Sequence, residues 1–214
     1  MDDPLLVNGS DAVRKEYNIV HNQNKTKISI SHVYKQTLLS RFNFMKGYTT
    51  KVIKNKYDSV RTSKDVYLLS RDDIRNYLSK SYKYLHIGLV QFSITRYNRW
   101  FYQDSVPVLV CLIDSKYCNY EDSILARINS DLSFGSMEFN WFPNFSSSLS
   151  DLTNSNGLVV TIDFLESERF KVECRVCFKL MKKSLKPDYL FKNPIIEVNT
   201  RKVSVHVPKS DNQT

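Results

Sequence analysis

The chain has 214 residues with 42% hydrophobic and 13% aromatic side chains, enough large apolar surface to offset chain entropy and to exclude wholesale disorder. Lys+Arg 31 against Asp+Glu 22 gives a net charge of +9, which favours polyanionic partners such as nucleic acid or an acidic membrane face. The longest mostly apolar run, Val106 to Ile113, is eight residues where a membrane-spanning helix needs about twenty.

Residues 1–26 open with acids rather than the bases of a secretory signal and carry no sustained period, so they read as a flexible arm on a cytosolic chain. Sequons at Asn8, Asn24 and Asn144 are discounted on that ground. Residues 27–207 read as one domain and 208–214 as a tail. Partial alternation of Ile28, Ile30, His32 and Tyr34 predicts a first strand within 28–39. The tract from Arg41 to Lys64 carries seven bases against Asp58 alone, and reads either as a solvated loop or as a nucleic-acid contact.

Ser70-Arg-Asp-Asp73 is a capping box, and Ile74, Tyr77 and Leu78 follow at helical spacing, predicting a helix over 71–82. Leu85–Ile94 and Val106–Ile113 are apolar on both faces, as strands inside a sandwich are. His86 reads as a hydrogen-bonded core or edge histidine. Gly88 marks a bulge or a close backbone approach. Asp114, at a strand exit, suits an Asx-turn that accepts backbone N–H groups. Asn119-Tyr-Glu-Asp122 repeats the capping logic, and the stripe Ile124, Leu125, Ile128 and Leu132 predicts a helix closing at Gly135. Met137–Phe142, Leu158–Phe164, Lys171–Leu180 and Lys202–Val207 read as strands, separated by the Ser-rich 146–156 and by 182–194. The whole predicts a mainly β fold, a sandwich with two or three flanking helices.

Phosphate-cradling glycine loops, nucleophile elbows and paired metal-binding histidines are absent from the sequence, so no enzymatic activity and no cofactor are expected. Cys174 and Cys177 form a C-x-x-C, but on a strand residues three apart face opposite ways and cannot grip one ion. The stronger signal is segregated charge. No acid occurs between Asp73 and Asp104, where Lys80, Lys83, Arg96, Arg99 and Trp100 stand among tyrosines, and a second basic tract holds Lys171, Arg175, Lys179, Lys182 and Lys183. Cations that hold phosphates beside rings that stack on bases are the chemistry of sequence-independent single-strand binding. The alternation places Arg175 and Lys179 together on an exposed strand face.

The stretches Leu85-His-Ile-Gly-Leu-Val-Gln91, Val108-Leu-Val-Cys-Leu-Ile-Asp114, Glu121-Asp-Ser-Ile-Leu125 and Phe139-Asn-Trp-Phe-Pro-Asn-Phe145, leading to Ser148-Leu-Ser-Asp151, stand in an order and spacing that resembles the plant-virus cell-to-cell movement proteins of the thirty-kilodalton superfamily, most closely the caulimovirus and badnavirus branch. The resemblance implies a jelly-roll sandwich related to capsid proteins. It implies non-enzymatic, cooperative binding of single-stranded nucleic acid and peripheral association with endoplasmic-reticulum or plasma membrane. Self-association, contact with plasmodesmal host proteins and transport through plasmodesmata follow from it too. Asp114 matches the superfamily's characteristic aspartate, Gly135 its following glycine, and Lys116 stands where the branch commonly carries a base. A capsid-like structural protein of the same fold is the rival reading.

Overall fold

A computed structural model describes residues 18–21, 28–35, 47–97, 105–155, 157–164, 169–184, 187–191, 193–198 and 203–208. In chain order the strands are β1 (Asn18–His21), β2 (Tyr48–Val60), β3 (Lys64–Tyr67), β4 (Tyr84–Arg96), β5 (Pro107–Asp114), β6 (Ile124–Asp131), β7 (Met137–Phe142), β8 (Phe145–Ser148), β9 (Leu158–Phe164), β10 (Phe170–Met181), β11 (Ile195–Val198) and β12 (Val203–His206). Helix α1 (Arg71–Ser79) and the single turns α2 (Tyr120–Ser123) and α3 (Asp151–Asn154) sit between them.

One sheet runs β1-β11-β7-β4-β10-β2, with β8 also on β4; the other runs β12-β6-β5-β9-β3. Eight of these strands, β2 to β7 with β9 and β10, form two four-stranded layers, β2-β10-β4-β7 and β3-β9-β5-β6. Counted along the chain that order is 1-8-3-6 and 2-7-4-5, the winding of a jelly roll. The fold is therefore a mainly β jelly-roll sandwich, and every pairing within the eight is antiparallel.

Alternation explains what lies between the layers. Val172, Cys174, Val176, Phe178 and Leu180 of β10 point inward beside Phe92 and Ile94 of β4 and Trp141 of β7, against Val110, Leu112 and Val160 of the other sheet. Cys177 points out on the opposite face, so the two thiols of the C-x-x-C are separated by the sheet itself. Burial pushes them up to about 12 and about 11, which keeps both protonated at neutral pH.

The outer face of the larger sheet is covered in turn. Residues 28–35 and 187–191 cross it as a strap, joined by the bridge Tyr34–Tyr189 and by Lys35 N–H to the Asp188 carbonyl at 2.8 Å. Val33 and Tyr34 bury themselves on Leu89, Phe142 and Cys177. Gly88 makes this possible. It is the extra residue where β4 slips against β10, and a Cβ on it would lie 2.6 Å from the Tyr34 hydroxyl and 2.7 Å from Val33 Cγ1. Bulge and close approach, the two expectations for this glycine, both hold.

Four expectations fail. Residues 28–35 form a 3₁₀ turn (Ile30–His32) and one bridge rather than a strand. Of the expected basic loop, residues 48–60 are β2, whose Ile53 and Tyr57 pack on the core while Lys54 and Lys56 stay exposed; residues 41–46 lie outside the described set. Asn18–His21, within the expected arm, pair parallel with β11. The helix expected to run to Gly135 stops after one turn at Ser123, and Ile124–Asp131 are strand β6. Ile124, Ile128 and Leu132 are four apart, an even spacing that also shares one face of a strand, and pairing to β5 and β12 decides between the two.

Candidate nucleic-acid interface

Because β4 and β10 run antiparallel, the start of one meets the end of the other, with Tyr84 opposite Met181. Helix α1 leads into this corner. Ser70 caps it by accepting from Asp73 N–H at 3.1 Å while the Asp73 carboxylate accepts from Ser70 N–H at 3.3 Å, and Ile74 and Tyr77 turn inward, the Tyr77 ring 5.9 Å from that of Phe178. The helix ends at Ser79, short of the expected 82, because Ser81 takes φ 64° and reverses the chain. Lys83 N–H then donates to the Met181 carbonyl at 2.9 Å, and Lys182 N–H to that of Gly47.

Those backbone bonds bring Lys80, Lys83, Lys182 and Lys183, a hundred residues apart in sequence, onto one rim. All four are exposed, and the Lys182 ammonium lies 5.9 Å from the centre of the Tyr82 ring. Among the described residues none of the four is ion-paired, so their charge is available to a ligand. Lys51, which the sequence reading did not single out, adds to the same end with its ammonium 4.7 Å from the Tyr77 ring centre. Its signal, a lysine on the core-facing phase of a strand, becomes visible only once β2 is known to be a strand.

The remaining predicted cations do not join them. Lys179 lies on the same strand face as Arg175, as expected, but that face is not exposed. The Lys179 side chain is 5% exposed under the strap, with its ammonium 3.8 Å from the Tyr48 ring centre and 3.8 Å from Asp188 Oδ2. Arg175 donates through Nη1 to the Ile28 carbonyl at 2.9 Å and to Gln91 Oε1. Gln91 Nε2 donates to Asn140 Oδ1 at 2.9 Å, and Asn140 Nδ2 to Glu197 Oε2 at 3.1 Å, a ladder that crosses β10, β4, β7 and β11. Both residues are therefore engaged in the fold. Lys171 sits at the far end of the strand, 2.9 Å from Glu173, which also faces Lys56 at 3.5 Å. Arg96 pairs opposite Phe170 at that end and is buried. Twelve residues of β10 at about 3.3 Å each put roughly 40 Å between the two ends. Arg99 and Trp100 lie outside the described residues.

Asp114 closes β5 at the lysine-bearing end. Its Oδ1 accepts from Lys116 N–H at 3.1 Å, the expected Asx-turn, and its carbonyl accepts from Tyr117 N–H at 3.3 Å. Ser115 donates through N–H (2.9 Å) and hydroxyl (2.8 Å) to the Gly157 carbonyl, which ties the turn to the head of β9. Leu158, opposite Asp114, accepts from Leu68 N–H two residues before the α1 cap, so turn and rim share one end of the sandwich. The buried Asp114 carboxylate, 1% exposed, thus fixes where the exposed Lys116 emerges. Asp114→Ala should cost about 1–3 kcal/mol in urea unfolding, and Asp114→Asn, which keeps the acceptor, should recover most of it; equal losses in the two variants would remove the turn as the reason. Gly135 ends the 3₁₀ turn Leu132–Phe134 at φ 115°, a conformation that favours glycine, although the long helix it was expected to close does not form.

A family model described as viral movement protein matches residues 12–205. No curated protein matches the chain. Among solved structures, a chain of the cocksfoot mottle virus structure is similar at 9% identity and TM-score 0.39, covering 77% of this chain and 95% of that one. A chain from an Israeli acute paralysis virus particle is similar at 13% and 0.38, covering 78% and 96%. The decameric BFDV capsid protein is similar at 9% and 0.35, covering 62% and 96%. These likenesses are too distant to bear on function, and the jelly roll rests on the strand order itself.

Proposed function

The chain belongs to the viral movement protein family, and from that premise we propose that it binds single-stranded nucleic acid without sequence preference and carries it between plant cells through plasmodesmata. The observation that supports this reading is the rim of Lys80, Lys83, Lys182 and Lys183 around Tyr82. Four mobile ammonium groups satisfy phosphates wherever they fall along a flexible strand, and an adjacent ring offers a face to any base. Nothing in that arrangement reads a base edge, which suits a protein that must accept whatever genome segment it meets. The Asp114 turn presents Lys116 at the same end and shapes the surface through which copies assemble on the strand. Plasmodesmal host proteins and the peripheral face of the endoplasmic reticulum or plasma membrane are the further partners of this role, and the cytoplasm and the plasmodesma its places. The chemistry required is binding alone, so the role calls for no catalytic group and no cofactor.

Binding of an unstructured oligonucleotide, followed by fluorescence anisotropy as salt is raised, tests the reading. The logarithm of affinity should fall with the logarithm of salt at a slope of about −2 to −3, the release expected for roughly four phosphates on a single strand. A flat response overturns the proposal.

A further inference from the structure

The two sides of the sandwich end differently. One side ends in β2 and β3, whose edges carry Lys51, Lys54, Lys56 and Asp58, and Lys64 and Asp65. Charges on an edge strand deter a second sheet from adding to it, because like charges would meet across the new pairing. The other side ends in β1 and β12, and Asn18-Ile-Val-His21 and Val203-Ser-Val-His206 hold no Lys, Arg, Asp or Glu. On β1 the apolar side chains Ile19 and Val20 are 41% and 43% exposed.

The backbone of β1 is open on one side as well. Asn18 N–H donates to the Pro194 carbonyl at 3.0 Å, and along a parallel ladder alternate residues engage the neighbour. Asn18 and Val20 therefore spend their polar groups on β11, while the N–H and C=O of Ile19 and His21 point the other way. Among the described residues no strand lies on that side.

We propose that β1 is the edge through which two copies of this chain associate. A twofold axis at Val20 pairs the strands antiparallel, so that Ile19 of each copy exchanges both backbone hydrogen bonds with His21 of the other and the two Val20 side chains meet. A second copy is the occupant because the segment is self-complementary in this register. In a chain of net charge +9, the β1 edge also brings copies together without setting cation against cation. Joining at β1 merges two seven-stranded sheets into one and leaves the lysine rims of both copies uncovered. This inference rests on the self-assembling reading given under Proposed function.

Sedimentation of the full chain over a range of concentrations, with and without oligonucleotide, tests it. The wild type should approach twice the chain mass. Ile19→Lys, which sets like charges near the axis, and Ile19→Pro, which removes only an N–H facing away from β11, should each raise the dissociation constant by about tenfold or more at an unchanged melting temperature. Hydrogen exchange gives a second reading: the Ile19 and His21 amides of the wild type should slow as concentration rises. Association of the variants at wild-type strength, or fast exchange of those two amides in the dimer, overturns the edge while leaving self-assembly standing. A wild type that stays monomeric under every condition overturns both.

Discussion

Replacing Lys80, Lys83, Lys182 and Lys183 together by Gln should weaken binding of an unstructured oligonucleotide by about two to three orders of magnitude at 0.1 M salt. The size follows from counterion release: each phosphate held on a single strand contributes a slope of about −0.7, so four lost contacts remove nearly three powers of ten at that salt concentration. The salt dependence itself should flatten by a similar amount, which a merely unfolded or aggregated variant would not mimic. The fold should survive, since all four side chains are exposed and only their backbones are bonded into the corner. Lys54 and Lys56, on the charged edge, supply the contrast. Their double Gln variant should lose far less, and an equal loss at the two places would mean that net charge rather than the rim is what the polyanion reads. In leaf epidermis the quadruple variant of a fluorescent fusion should stay in the cell that makes it, while the wild type reaches the wall and the neighbouring cells.

Acid should loosen the fold through His86. The imidazole is fully buried beneath the strap, its Nε2 3.0 Å from Asn144 Oδ1 and its Nδ1 2.9 Å from the Tyr34 hydroxyl, an arrangement that suits the neutral ring. Tyr189 stacks edge-on at 4.8 Å, and the positive charge of Lys179 lies nearby. Burial, with the Lys179 charge adding to it, holds this histidine down to about 4 from its ordinary 6.5. The unfolded chain therefore takes up a proton below about pH 6.5 that the folded chain refuses until about pH 4, and stability falls as pH falls across that window. The loss at the bottom should be about 3 kcal/mol. Urea unfolding of the wild type and His86→Gln at a series of pH values isolates it from the carboxylates: the variant, though less stable at pH 7, should show a shallower decline. Parallel declines would place the acid sensitivity elsewhere.

Burial also explains which parts of this fold were legible in the sequence. β4, β5, β7, β9 and β10 keep a consistent apolar face over six residues or more, and each was legible within about two residues of its ends. The capping box at Ser70 announced α1 because its logic is local. β2 was not legible, since an edge strand with lysines on both phases looks like a loop until its neighbour is known. β8, four residues of which three are serine, has no pattern to read. The site divides along the same line. Alternation correctly put Arg175 and Lys179 on one face, and nothing in a strand's own period reveals that a strap from residues 28–35 and 187–191 covers it. Conversely Lys83 and Lys182 became neighbours only through the pairing of Tyr84 with Met181, a contact between segments about a hundred residues apart.

The ladder from Arg175 through Gln91 and Asn140 to Glu197 has a direction. Each member gives a hydrogen to the next, from a guanidinium that can only give to a carboxylate that can only receive, so neither amide is at liberty to flip. It also works as a combination lock on strand alignment. A slide of one residue at β10–β4, β4–β7 or β7–β11 would turn one of the four side chains to the other face and interrupt the line. A chain assembling from non-local strands meets many near-miss alignments that satisfy the hydrophobic pattern almost as well, and a polar row that closes in a single alignment is one device by which the correct one is told from the rest.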